Sequence, residues 1–234
     1  MIPWQRLDSA AVPGERLPLV LFQRGTEFVI RIGPHALMSS TTHGSEEALA
    51  ELACARIARR PDARVLIGGL GMGFTLAAAL RQLSGSARVE VAELIPTVVE
   101  WNRGPLAHLA DRPLADPRVA VWVGDVTDRI GEGRSSLDAI LLDVDNGPDG
   151  LTRAGNDRLY SISGLHAIRS ALREGGILGV WSVQPDRGFT RRLARAGFEV
   201  EEQVIRARRV KGGRHTLWLA TRPGWPPGRA GSES

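Results

Sequence analysis

The sequence predicts an α/β fold: a mostly parallel seven-stranded sheet that ends in an antiparallel hairpin, preceded by a small N-terminal β-hairpin segment. Three observations predict it. After Pro61, short apolar runs of strand length alternate with helix-length stretches, the rhythm of parallel strands covered by helices. The last two apolar runs, 198–207 and 214–221, are joined by Arg208-Arg209-Val210-Lys211-Gly212-Gly213, which leaves no room for a crossover helix, so they must pair antiparallel. Ahead of Pro61 the chain is extended and β-rich from Leu17 to Ser40.

Residues 17–22 and 27–32 flank Gln23-Arg24-Gly25-Thr26 and read as the β-hairpin. Gly44-Ser45-Glu46-Glu47 offers an N-cap and first-turn acids, which the positive end of a helix dipole favours; the helix runs to about Arg60 and is stopped by Pro61. Strands follow at 64–67, 88–93, 119–123, 138–143 and 176–183, with helices at 74–83, 95–103, 159–173 and 187–196. A parallel series closed by a hairpin is the strand plan of the Rossmann-like methyltransferase fold, whereas a dehydrogenase continues with further βα units. The expected divisions are an N-terminal segment over 1–60, a Rossmann-like domain over 61–222, and a loosely ordered Pro/Gly-rich tail over 223–234.

A chain of 234 residues with 43% hydrophobic content supports one core of ordinary size and no second catalytic domain. Apolar stretches fall short of the ~20 residues a bilayer crossing needs. The opening Met1-Ile2-Pro3-Trp4-Gln5-Arg6 lacks the pattern of a secretory signal. A cytoplasmic protein with no membrane partner is expected. Cys54 is the only cysteine, which rules out an internal disulfide and suits a core position. The net charge of +4 is modest, and nucleic-acid binding requires clustered charge. The basic run Arg206, Arg208, Arg209, Lys211, Arg214 is read as a solvated hairpin turn, so nucleic acid is not an expected partner. The histidines share no ligand spacing with one another or with Cys54, and no metal is expected.

Chemistry concentrates at the strand ends. Val65-Leu66-Ile67 runs into Gly68-Gly69-Leu70-Gly71-Met72-Gly73, and a helix follows at once. Gly69, Gly71 and Gly73 permit the turn and let a ligand lie against backbone. Glu93 ends the next strand about 20 residues on, where an acid can accept both hydroxyls of a ribose; a solvated strand-end acid is the plainer reading. Asp125 and the adjoining Val126 stand just past the third strand, within reach of an adenine amino group, although Asp125 could instead cap a helix. Three features at successive strand ends converge on the carboxyl edge of the sheet, where open α/β sheets bind ligands. The loop lacks a P-loop lysine, and its third glycine comes two residues after the second, so the dinucleotide fingerprint is unmatched. An adenosyl cofactor, S-adenosylmethionine or its decarboxylated form, is the expectation.

The fourth strand delivers Asp143, Asp145, Asn146, Gly147 and Pro148 to the same edge. Transfer from a sulfonium to an amine needs the amine deprotonated and aligned, and a carboxylate can do both. An Asx-type turn over 145–148 is the alternative. Trp181, after the fifth apolar run, stands where it can border an acceptor pocket, and His43 can line the site.

With these motifs in place, the chain resembles the spermidine synthase family from the N-terminal hairpin to about Thr221. The matching features are the N-terminal hairpin, the glycine loop 68–73, Glu93 after the second strand, Gly124-Asp125 after the third, Asp-Pro-Arg-Val at 116–119, and Leu159-Tyr160 opening the next helix. The resemblance puts Tyr160 with Asp143 and Asp145 among the candidate catalytic residues. It implies a transferase that passes an aminopropyl or methyl group from S-adenosylmethionine or its decarboxylated form to a small amine or related acceptor. The departures fall on the acceptor side: the glycine loop has no aspartate, the proline of the catalytic loop waits until Pro148, Ser45 stands where the family carries tyrosine, and Val180-Trp181-Ser182-Val183-Gln184-Pro185-Asp186 replaces a glutamine- and glutamate-bearing stretch. An RNA or other S-adenosylmethionine-dependent methyltransferase, or a non-catalytic adenosyl-binding relative, is the alternative. A homodimer is expected, because a two-stranded hairpin alone is marginal and its edge invites pairing.

Overall fold

The computed structural model describes residues 2–144, 158–206 and 213–224. The chain opens with four antiparallel strands in sequential order, β1 (Gln5–Ala10), β2 (Leu19–Arg24), β3 (Glu27–Ile32) and β4 (His35–Ser39). The expected hairpin is β2 with β3, paired from Leu19↔Ile32 to Arg24↔Glu27. Its extension by β1 and β4 corrects the two-stranded expectation. The sequence conceals both: β1 is mostly exposed and polar, and β4 is five residues long without a buried face. Leu21, Phe28 and Ile30 are buried in the same core as α1, α2 and one face of the larger sheet, so the N-terminal sheet is held by that core. The argument for a homodimer from a marginal hairpin thereby loses its premise.

Helix α1 (Gly44–Ala55) ends earlier than Arg60. Arg60 precedes a proline, which disfavours helical backbone there, and Arg56 and Ile57 close tight turns onto Ala53 and Cys54 instead. His43, not the Gly-Ser pair, occupies the cap position and makes no side-chain cap. The Ser45 hydroxyl is engaged elsewhere, as described below. Cys54 is fully buried, and burial pushes its thiol up to about 12.

The larger sheet is built from β5 (Arg64–Gly68), β6 (Arg88–Glu93), β7 (Val119–Val123), β8 (Leu137–Leu142), β9 (Leu172–Ser182), β10 (Glu199–Arg206) and β11 (Arg214–Thr221), in the order β10-β11-β9-β8-β5-β6-β7. Neighbours from β9 to β7 are parallel; β11 runs antiparallel to both β9 and β10. The helices are α2 (Phe74–Gln82), α3 (Pro96–Arg103), α4 (Val126–Glu132), α5 (Ile162–Ala171) and α6 (Arg187–Arg195). Strand bounds match the expected ones within a residue or two, except that β9 begins at Leu172. Helix α5 starts at Ile162, capped by the Ser161 hydroxyl accepting from the Gly164 N–H at 3.1 Å.

Alternation along each strand divides the core. Val65, Ile67, Ala139, Leu141, Leu217 and Leu219 face α1, α2 and α3, whereas Leu66, Ile140, Leu142, Trp218 and Ala220 face α4, α5 and α6. From β5 the chain turns to β6 on one side, while β8 pairs on the other, so a crevice opens at the carboxyl end of β5. No helix among the described residues is long and apolar enough to cross a membrane.

At the opposite end of the sheet Asp138 is fully buried and accepts from the Arg64 N–H at 2.8 Å, from Arg60, and from Arg173 at 3.0 Å. Burial alone would raise this carboxyl; the Arg64 amide and the two guanidinium groups outweigh it and hold it below the usual range. Asp138→Ala leaves the Arg64 amide unpaired while the half-exposed arginines return to water, so a loss of about 2–3 kcal/mol in urea unfolding is expected.

Candidate active site

Glycine conformation shapes the crevice. Gly69, Gly71 and Gly73 all have positive φ, at 88°, 54° and 85°. A Cβ on Gly69 would lie 2.4 Å from the Asp143 carbonyl oxygen, and one on Gly71 would lie 2.9 Å from Met38 Sδ. The loop is tied down on both sides. Glu93, buried at the end of β6, accepts from the Leu70 N–H through Oε2 and from the Ile95 N–H through Oε1, each at 2.9 Å. Buried Asn102 on α3 donates from Nδ2 to the Gly71 carbonyl at 2.8 Å. Asn102 carries no signal in the sequence beyond a polar residue within an amphipathic helix.

Two connected cavities flank this loop. The larger is walled by Gly69, Ala92, Glu93, Ile95, Asp125 and Val126 and roofed by Ile30, Ile32, Leu37 and Met38 of the N-terminal sheet. The smaller is lined by Glu46, Leu70, Met72, Phe74, Thr75 and Trp181. Leu37, Met38, Gly71 and Asp143 line both, so Asp143 stands where the two meet. The predicted residues Gly69, Gly71, Glu93, Asp125, Val126 and Asp143 are therefore brought together. Gly73 instead caps α2, its own role in the turn.

Asp125 takes up the capping geometry that the sequence left open: Oδ1 accepts from the Thr127 N–H at 2.9 Å and from the Thr127 hydroxyl at 2.6 Å, at the start of α4. Its carboxylate nevertheless lines the larger cavity. Tyr160 is not brought to either cavity. It is 2% exposed, packed edge-on against Phe189 at 5.4 Å between ring centroids, in the core on the α5–α6 side of the sheet. Asp145, with the turn 145–148, lies outside the described residues, as does 207–212 of the basic hairpin.

Glu46 is the residue the sequence reading passed over. It sits in the first turn of α1 across the smaller cavity from the end of β8. Burial, then the charge of Asp143, raises its carboxyl to about 7, partly offset by the hydrogen bond from Ser45. Burial raises Asp143 to about 6 against the pull of the Thr75 hydroxyl, which donates to Oδ2 at 2.6 Å. Ser45 Oγ donates to Glu46 Oε2 at 2.6 Å and lies 2.7 Å from His215 Nδ1. His215 packs edge-on against Trp181, 4.7 Å between centroids. His43, at the outer rim, stacks on Phe74 at 3.9 Å, with Nδ1 3.2 Å from Glu47. The arrangement is a largely apolar pocket lined by Glu46, with Asp143 at its junction with the larger cleft, both carboxyls raised. No group of three histidine, cysteine or acidic side chains suited to a metal ion occurs among the described residues.

Sheet order, glycine loop and cleft at the switch point define a protein of the Rossmann-like methyltransferase fold. It superposes on an O-methyltransferase from Streptomyces achromogenes with a TM-score of 0.55, at 18% identity, over 77% of this chain and 80% of that one. The likeness to the spermidine synthase of Thermotoga maritima reaches a TM-score of 0.75, at 18% identity, over 93% of this chain and 72% of that one, and takes in the N-terminal sheet. In sequence, the chain is 33% identical over 127 residues to polyamine aminopropyltransferase 1 of Streptomyces coelicolor, 53% of this chain and 23% of that protein, so it spans about a quarter of that relative's length. No family model matches the chain. In sequence and in fold it is similar to the spermidine synthase, or polyamine aminopropyltransferase, family.

Proposed function

We propose that this protein transfers an aminopropyl group from decarboxylated S-adenosylmethionine to a small amine. The observation that carries this reading is the sign of the charge around the two cavities. The ionisable side chains lining them are Glu15, Glu46, Glu93, Asp125 and Asp143, and among the described residues no arginine, lysine or histidine joins them. A decarboxylated donor presents a sulfonium and an ammonium, and an alkylamine acceptor adds a further cation. The intact donor adds a carboxylate, which would have to lie near Asp143 and Glu46 without a compensating cation.

In this reading the larger cleft takes the adenosyl part. Glu93 receives the ribose hydroxyls, the outer oxygen of Asp125 receives the adenine amino group, and Val126 packs on the ring. The amine enters the smaller pocket between Phe74 and Trp181. Asp143, at the junction, holds the amine nitrogen near the reacting carbon and accepts its proton. A carboxyl raised to about 6 is a better proton acceptor near neutral pH than an ordinary aspartate.

Calorimetry decides the donor. The decarboxylated form is expected to bind at least about tenfold more tightly than S-adenosylmethionine, a difference of roughly 1.4 kcal/mol. Equal or tighter binding of the intact donor would overturn the reading in favour of methyl transfer. Binding of the decarboxylated donor with no methylthioadenosine formed across a panel of amines would leave a ligand-binding protein rather than an enzyme.

A further inference from the structure

The geometry points to a proton exit from the smaller pocket: Glu46, Ser45 and His215 form a hydrogen-bonded chain that carries away the proton released in each transfer. This rests on the function proposed above. Aminopropyl transfer forms an N–C bond, breaks the C–S bond and returns that electron pair to sulfur. An alkylamine enters as its ammonium near neutral pH. The product amine also stays protonated, so one proton is released per turnover. Leu37, Met38 and Trp181 line this pocket, so apolar groups stand around the place where the proton is released.

The hydrogen-bonded chain supplies a route away from it. The ammonium proton passes to the Asp143–Glu46 pair. From Glu46 Oε2 it moves to Ser45 Oγ across 2.6 Å, while the Ser45 hydroxyl proton moves to His215 Nδ1 across 2.7 Å. His215 then releases its Nε2 proton. That nitrogen lies beside exposed Gly213: a Cβ built there would be 3.5 Å from it. The transfer leaves Glu46 ionised and His215 as its Nδ1–H tautomer, so the ring moves its proton back to Nε2 by exchange with solvent before the next turnover.

The groups facing this chain suit the direction of flow. Asp143 at the end of β8 keeps Glu46 ready to take a proton, and burial lowers the affinity of His215 for a second one. Arg206 and Arg214, the pair next to Ile205 and His215 on β10 and β11, fall on the opposite face of the hairpin. Glu47, the other acid of the first turn, is engaged by Arg81 of α2 at 3.2 Å and by His43, and so does not compete. Trp181 of β9 contributes no charge. A tyrosine at position 45 could not lie within one short hydrogen bond of both neighbours, which gives the family-discordant serine a reason.

Two measurements test it on the full chain. In the free protein labelled with 15N-histidine, the Nδ1 resonance of His215 is expected to shift as pH crosses about 7, where Glu46 titrates. Ser45→Ala and Glu46→Gln are both expected to remove that inflection. An unchanged His215 titration in both variants overturns the chain. In turnover, Ser45→Ala is expected to lower kcat about tenfold with KM values within about twofold, and added imidazole is expected to restore the rate. A parent protein that keeps the His215 coupling but transfers nothing from the decarboxylated donor refutes the functional reading. Transfer that proceeds without the coupling refutes the exit route.

Discussion

Asp143→Asn is expected to lower the rate of aminopropyl transfer by roughly 10²–10⁴ while changing donor affinity no more than about threefold. The substitution is nearly isosteric. The Thr75 hydroxyl can still donate to the amide oxygen, and the Asp143 backbone, whose N–H donates to the Gly68 carbonyl at 3.0 Å, is untouched. What disappears is a group able to take a proton at the junction of the two cavities. Methylthioadenosine formation in single turnover measures the loss, and a variant as fast as the parent would remove Asp143 from the chemistry.

The same substitution has an effect of opposite sign on stability. A carboxyl whose folded-state pKa is raised above its unfolded value contributes stability at low pH, and that contribution is lost as pH rises through the folded value. Asp143 at about 6 and Glu46 at about 7 therefore make the free protein less stable on going from pH 5 to pH 8. Asp143→Asn should unfold at a higher temperature than the parent at pH 8, and the gain should shrink at pH 5. Such a pattern identifies a site held in an unfavourable state for the sake of its chemistry.

Gly69→Ala is expected to cost about 2–5 kcal/mol and to abolish donor binding. Two penalties combine. The residue sits at φ +88°, and the added methyl would meet the Asp143 carbonyl oxygen at 2.4 Å, backbone against side chain, with no flexible group to move. Gly14→Ala separates them. Gly14 has φ +83° with nothing within 4 Å of the added carbon, so only the backbone term of roughly 1–2 kcal/mol applies. Urea unfolding of both variants measures the difference, and equal losses would show that the loop tolerates the methyl.

The parts of this molecule that were legible in the sequence are those governed by local periodicity. β5, β6, β7, β8 and β11 announce themselves because alternate residues serve two cores, and the glycine loop does so because its positive-φ positions admit little else. β1 escaped notice because its polar residues face solvent and only Ala10 reaches the core. Glu46 escaped because an acid in a first helical turn already has an explanation in the helix dipole; only the fold brings it opposite Asp143. Asp125 satisfied the capping reading and the cavity reading together, since a helix cap at a strand end also faces the crevice. Tyr160 was suggested by resemblance alone. Its position two residues before α5 sends the ring into the aromatic cluster with Phe189 and Trp218, beneath the sheet rather than above it.

Glu93 has a consequence for how tightly this protein can hold a nucleotide. Both of its oxygens already grip main-chain amides, one within the glycine loop and one at the entrance to α3. The cradle is thus rigid in the empty protein, and its loss of conformational entropy falls at folding instead of at association. A preorganised cradle of this kind trades adaptability for affinity: a ligand that fits it needs little rearrangement, and one that does not finds a loop that cannot give.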